Sequence, residues 1–288
     1  MTQFLAPDLR PMEDVIVLTT LGVRFWDAAR DVRVDDGLVV RARSDLAPRE
    51  VKQARVTRSG VYAFTGLPRL RDIEYPFPPR PILGGAGAFL SLPFVVDVED
   101  PRGRFQPVAF RVDVPFLGVY PTGLVGGVPG PAPGFFLFSA PGRATPAKLA
   151  AVRVTLVVAA TAEPASHAVV ELTLPGGRVV FALAGEDGQA TAIFPYPPFA
   201  ASLAAPMTPE QARAPATLPL TVRVLYEPVR QAPLLPGLPP DIAELFQQAP
   251  VAIEPNAGNA PVNQLDATLV FGRDLVLRTD SEPHLLIG

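Results

Sequence analysis

The chain has 288 residues, of which 36 are proline and 23 are glycine, so about one position in five interrupts a regular helix. Each interior proline removes a backbone donor and clashes with the preceding turn, which excludes a long helical bundle. A hydrophobic content of 48%, a charged content of 18% and a net charge of −3 exclude a disordered chain and a basic field for nucleic acid.

The expectation is therefore a mostly β protein with many turns. Residues 1–8 lack a basic stretch followed by an apolar run, so a secretory leader is not expected. Cysteine is absent, which removes thiolate chemistry and suits a cytoplasmic location. No window approaches 18 uninterrupted apolar residues, so no membrane-spanning helix is expected.

In chain order, period-two alternation and β-branched runs predict strands at 15–20, 23–26, 38–43, 51–57, 61–64, 94–98 and 108–114. The second half continues with 152–158, 168–174, 179–184, 190–194, 218–226, 267–271 and 275–278. Many short strands at this spacing indicate β-sandwiches. One stretch reads as a helix near 240–249. Pro240 and Asp241 open it, Ile242, Leu245 and Phe246 recur at helical spacing, and Pro250 ends it. A further helical turn is expected around 206–213, with Thr208 as its cap.

Proline and glycine concentrate at 76–92, 120–146 and 228–240, and residues 120–134 carry no charge. The expected organisation is an N-terminal sandwich over 1–119, a Pro/Gly-rich connection over 120–146 and a C-terminal sandwich over 147–288. The two β blocks repeat one pattern. Ser59-Gly60-Val61-Tyr62-Ala63-Phe64 in the first answers to Asp187-Gly188-Gln189-Ala190-Thr191-Ala192 in the second, each a Gly turn feeding a strand.

Residues 59–68, ending Thr65-Gly66-Leu67-Pro68, resemble the turn and strand of carboxypeptidase-regulatory-like modules. The resemblance implies two tandem transthyretin-like, or Ig-like, sandwiches, and the second block lacks the Tyr and the Gly-Leu-Pro. In its excess of Arg over Lys, 23 to 2, its lack of Cys and its Pro-rich connections, the chain is also similar to accessory proteins of phage-tail-like contractile injection systems.

Sites for chemistry are sparse. The two histidines, His167 and His284, stand far apart, and no Gly-x-Ser-x-Gly elbow accompanies Ser166 or Ser202. The acidic runs Asp35-Asp36-Gly37, Asp97-x-Glu99-Asp100 and Glu186-Asp187-Gly188 lack the alternating pattern of a calcium loop and read as turns. No catalytic residue, metal or cofactor is expected. Aromatic and apolar positions remain as candidate partner contacts: Phe135, Phe136, Phe138, Tyr196, Phe199, Leu245 and Phe246. Phe135, Phe136 and Phe138 alternate across a strand with two apolar faces, which is either central in a sandwich or covered by a partner. The expected function is a structural or adaptor subunit that binds other protein subunits. The alternative is a carbohydrate- or cell-surface-binding module using Tyr196 or Tyr62.

Overall fold

The computed structural model describes residues 19–45, 47–70, 91–116, 119–120, 134–146, 148–197, 216–256 and 260–288. Over these the chain is mostly β. The first half contributes β1 (Leu21–Val23), β2 (Phe25–Asp27), β3 (Val32–Val34), β4 (Val39–Ser44), β5 (Ala47–Gln53), β6 (Arg55–Val56), β7 (Tyr62–Phe64), β8 (Leu92–Glu99), β9 (Val108–Val114) and β10 (Phe135–Leu137). The second contributes β11 (Leu149–Val158), β12 (Val169–Thr173), β13 (Val179–Leu183), β14 (Gln189–Pro195), β15 (Thr217–Leu225) and helix α1 (Ile242–Leu245). It closes with β16 (Pro250–Val251), β17 (Ile253–Glu254), β18 (Leu265–Val270), β19 (Leu275–Leu277) and β20 (Leu285–Ile287).

The second half is a two-sheet sandwich. One sheet runs β14-β11-β20-β17, and the other runs β13-β12-β15-β16. Both central strands have a divided edge. β11 pairs in parallel with β19 over Val152–Val154 and with β20 over Leu156–Val158, and β15 pairs antiparallel with both β18 and β16. Alternation along β11 sends Ala150, Val152, Val154 and Leu156 into the core, while Arg153 and Thr155 face outward.

The described residues of the first half form three sheets, ordered β5-β4-β8-β9, β1-β7-β6 and β10-β2-β3, around one core. The expected strand at 23–26 divides at Arg24, because β1 pairs with β7 whereas β2 pairs with β3 and β10. Leu21, Val23 and Phe25 are all fully buried, so the chain turns a corner between sheets without leaving the core. The expected strand at 51–57 breaks at Ala54, where the chain passes from the edge of one sheet to β6 in another. Residues 15–18 and 206–213 of the expected elements lie outside the described residues.

The repeated turn has the same backbone in both halves. Gly60 and Gly188 take φ of 70° and 73°, and each donates its N–H to the carbonyl three residues earlier, Thr57 and Gly185. A side chain at Gly188 would lie 2.4 Å from the Leu156 carbonyl oxygen, so this position requires glycine on two grounds. In both halves the turn feeds a strand, β7 or β14, that pairs antiparallel with an earlier strand, β1 or β11.

The two halves also share a wall. The first core includes Val169, Leu183 and Leu225 from β12, β13 and β15, and Ile242 and Leu245 from α1. A smaller apolar contact joins Ala29, after β2, to Ala151 on β11 and Ile193 on β14.

Candidate functional site

The segment joining the halves is built into both. β10 pairs in parallel with β2, placing Phe135 opposite Phe25 and Leu137 opposite Asp27. Phe135 stacks on Phe110 at 3.7 Å between ring centroids and is 5% exposed. Phe138, also buried, packs against Phe246 at 5.5 Å, and Phe246 meets Phe181 edge-on at 5.3 Å. That chain of three rings runs from the first core, past the end of α1, to the outer face of β13.

Two arginines then fix the residues that follow. Arg143 makes a two-pronged ion pair with Asp27, at 2.9 and 2.5 Å, and its guanidinium lies 5.0 Å over the Phe105 ring. Arg153, on β11, donates to the Pro141 and Arg143 carbonyls at 2.6 and 3.1 Å and pairs with Asp274 at 2.9 Å. One arginine holds the connection to the first half, and the other holds it to the second.

The short helix is anchored in the same way. The Asp241 carboxylate caps it by accepting from the Ala243 N–H, and burial raises the Asp241 carboxyl above its usual value. Just beyond the helix, Gln248 is 4% exposed and fully engaged. Its Nε2 donates to the His167 and Leu245 carbonyls, and its Oε1 accepts from the Glu227 N–H and the Gln231 side chain.

Between the halves these contacts frame a cleft of about 410 Å3. Gln106 and Pro107 reach it from ahead of β9, Pro141 from the connection, His167 from ahead of β12, Gly185 to Asp187 from the turn after β13, and Pro239 from ahead of α1. His167 has a positive φ of 55°, a conformation His tolerates better than most residues. Burial lowers its imidazole pKa and Glu186 pulls it back only in part, which favours the neutral ring. Ser166 donates its hydroxyl to the Glu186 carbonyl at 2.6 Å, which commits that oxygen to the turn.

The acidic runs singled out in the sequence divide in two. In the first half they are held by arginines: Asp36 by Arg102 and Arg104, Asp97 by Arg41 and Arg43, Glu99 by Arg41, and Asp100 by Arg104. In the second half, the Asp187 carboxylate accepts from the Gln189 N–H, and Glu186 lines the cleft. Among the described residues, no three His, Asp or Glu side chains gather as a metal site would require.

The candidate partner contacts fare unevenly. Phe135, Phe138 and Leu245 are corrected to core residues, since their apolar area is buried within the chain itself. Phe136 and Phe246 are half-buried and pack on the first core. Tyr196 is half-buried, accepts from the Gly272 N–H at 2.9 Å and lies against the half-exposed Phe271 at 4.3 Å. Phe199 lies outside the described residues. Tyr62 is 1% exposed, so it is removed as a sugar contact. The cleft itself was not read from the sequence, apart from His167 and the Glu186-Asp187-Gly188 turn.

No protein-family profile matches the chain. No curated protein matches it either. Among solved structures, it is similar to two single-substitution variants of the shaft pilin SpaA from Lactobacillus rhamnosus GG, each at 8% identity over 93% of this chain. The alignments cover 96% and 97% of the pilin chains with TM-scores of 0.21 and 0.20, values too low to bear on function. No helix among the described residues is long and apolar enough to cross a membrane.

Proposed function

We propose that the protein is a non-catalytic structural or adaptor subunit that works through contacts with other protein subunits. In its most specific form the reading is a component of a phage-tail-like contractile injection particle, assembled in the bacterial cytoplasm. One observation carries the structural role. The two halves are locked together by a shared core, the Arg143 and Arg153 clamps and the Phe138–Phe246–Phe181 rings. Paired domains in one chain ordinarily move relative to each other unless their interface is large and apolar. A subunit that sets the spacing of its neighbours needs that freedom removed.

Both halves also present apolar side chains on strands or, for Phe271, in the turn just after β18. Val51 and Val56 are 44% and 45% exposed on the first, and Phe271 and Val276 are 48% and 58% exposed on the second. The tandem carboxypeptidase-regulatory-like reading is supported by residues 59–68 and by the turn geometry that Gly60 and Gly188 share.

Native mass spectrometry of the protein purified from its source cell tests the proposal. Recovery in a high-mass particle with other subunits is expected. Recovery as an isolated monomer, under conditions that keep comparable particles intact, would overturn it.

A further inference from the structure

The cleft between the halves is more than a seam, because one buried donor in it is left without a partner among the described residues. Gln106 is 9% exposed, and its Nε2 is buried with no hydrogen-bond partner among the described residues. An unpaired buried donor costs about 1–3 kcal/mol, and native proteins seldom keep one without a use. Gln248, which bonds the carbonyl of the cleft residue His167, shows the contrast, with both ends of its amide engaged.

The Gln106 amide faces the Asp187 carboxylate across Gly185. A Cβ on Gly185 would stand 3.2 Å from Gln106 Nε2, 3.6 Å from its Oε1 and 3.0 Å from Asp187 Oδ1. The missing side chain thus keeps open a space bracketed by a donor, an acceptor and a carboxylate. Leu183, Ala184 and three prolines supply an apolar lining beside these groups. The polar lining is graded, from exposed Glu186 and Asp187 to half-buried His167 and buried Gln106. A volume of about 410 Å3 falls within the range of about 300–1,000 Å3 usual for small-molecule sites.

We propose that this cleft binds one neutral sugar unit of a saccharide, with Gln106, Glu186 and Asp187 holding its hydroxyls. A hydroxyl both donates and accepts, so one ring can donate to the carboxylates and accept from the Gln106 amide. The terminal torsion of a glutamine is broad, so a small turn of the amide presents its N–H to the ligand. Two carboxylates repel an anionic sugar. A purely cationic group satisfies them but leaves the Gln106 N–H unpaired. The C–H faces of a sugar ring suit the prolines and Leu183. This inference does not depend on the structural role proposed above, and a particle subunit can carry such a site or lack one.

The test uses the full chain and titrates methyl glucoside, methyl galactoside and methyl mannoside while following backbone amide resonances. Saturable shifts at Gln106, His167 and Gly185 to Asp187 are expected with at least one of the three. Gln106→Met and Gly185→Ala should each weaken that binding about tenfold or more. Gln106→Met should at the same time leave thermal stability unchanged or higher, because an unpaired buried amide is replaced by an apolar chain of similar shape. Three results would overturn the proposal: no saturable shift with any of the sugars, wild-type binding in both variants, or a stronger response to butylammonium than to every sugar.

Discussion

Arg143 and Asp27 lie 116 positions apart in sequence, yet they meet through two parallel hydrogen bonds, with side chains only 8% and 5% exposed. Neither group is left short of partners. Asp27 also accepts from the Ala29 N–H at 2.9 Å, and Arg143 donates to Ser139 Oγ at 3.1 Å. A buried pair of this kind adds little over well-packed apolar residues, but breaking it strands a charge.

Removing one partner is therefore the sensitive experiment. Arg143→Met should destabilise the protein by about 3–5 kcal/mol, since Asp27 would remain buried and uncompensated. The double variant Arg143→Met with Asp27→Leu should recover a large part of that loss. Arg143→Lys should fail to restore it, because an ammonium cannot span both carboxylate oxygens. Urea denaturation of the four proteins measures all three outcomes. Equal stability of Arg143→Met and the wild type would show that the pair is not coupled to folding.

Gln248 makes the second prediction. Its amide holds the His167 and Leu245 carbonyls and the Glu227 N–H in one place, tying the helix end to the cleft. Gln248→Leu keeps the bulk and leaves the His167 carbonyl and the Glu227 N–H without the amide, while the Leu245 carbonyl retains the Gln248 backbone N–H, so a loss of about 2–4 kcal/mol is expected. Hydrogen exchange should quicken at Glu227 and in α1 before it quickens in β11. Uniform loss of protection across the chain would contradict that local role.

Much of the fold was legible because alternation reports directly on strands with one buried face. The strand expected at 108–114 is β9 with those same bounds, and the helix near 240–249 contains α1 with Asp241 as its cap. β5 shows why other elements were not. Its residues, Ala47 to Gln53, are almost all exposed and include Pro48, Arg49, Glu50 and Lys52, so only its last three fell within the strand expected at 51–57. The strand exists because β4 pairs with it, and its charges and proline guard an open edge. The site was less legible still. Gln106, His167 and Gly185 come from three separate segments, and only the chain fold brings them to one cleft. The aromatic run at 135–138 was visible, but its sequence left open whether a partner or the chain's own core covers it. Stacking on Phe110 and packing on Phe246 decide for the core at Phe135 and Phe138.

Phe246 supplies the third prediction, since its ring touches Phe138 from the first core and Phe181 from the second half. Truncation to alanine should cost about 2 kcal/mol, less than the roughly 3–5 kcal/mol of a fully buried ring, because Phe246 is half-buried. The informative readout is cooperativity. Wild type should unfold in one calorimetric transition, whereas Phe246→Ala, combined with Arg143→Met, should separate two. A single transition in the double variant would mean that the shared core alone couples the halves.

The last prediction concerns acid. Burial alone would raise the Asp100 carboxyl, but bonds from the Arg104 side chain and from the Arg104 and Arg102 N–H groups outweigh it and hold the group below its ordinary value. Asp100 Oδ2 accepts from Arg104 N at 2.7 Å and from Arg104 Nε at 2.9 Å. A carboxyl whose folded pKa is lowered stabilises the fold above the unfolded value, near about 3.9, and loses that contribution as pH falls through the folded value. Asp97 acts in the opposite sense. Burial raises its carboxyl despite Arg43 and Arg41, so its proton favours the folded state as pH falls. Asp100→Asn should therefore lower stability at neutral pH and flatten the fall in stability on the acid side. Asp97→Asn should steepen that fall, because the compensating proton uptake is gone. Urea unfolding between about pH 7 and pH 3 separates the two slopes. Parallel curves for Asp100→Asn and the wild type would show that the Arg104 bonds do not set the acid response.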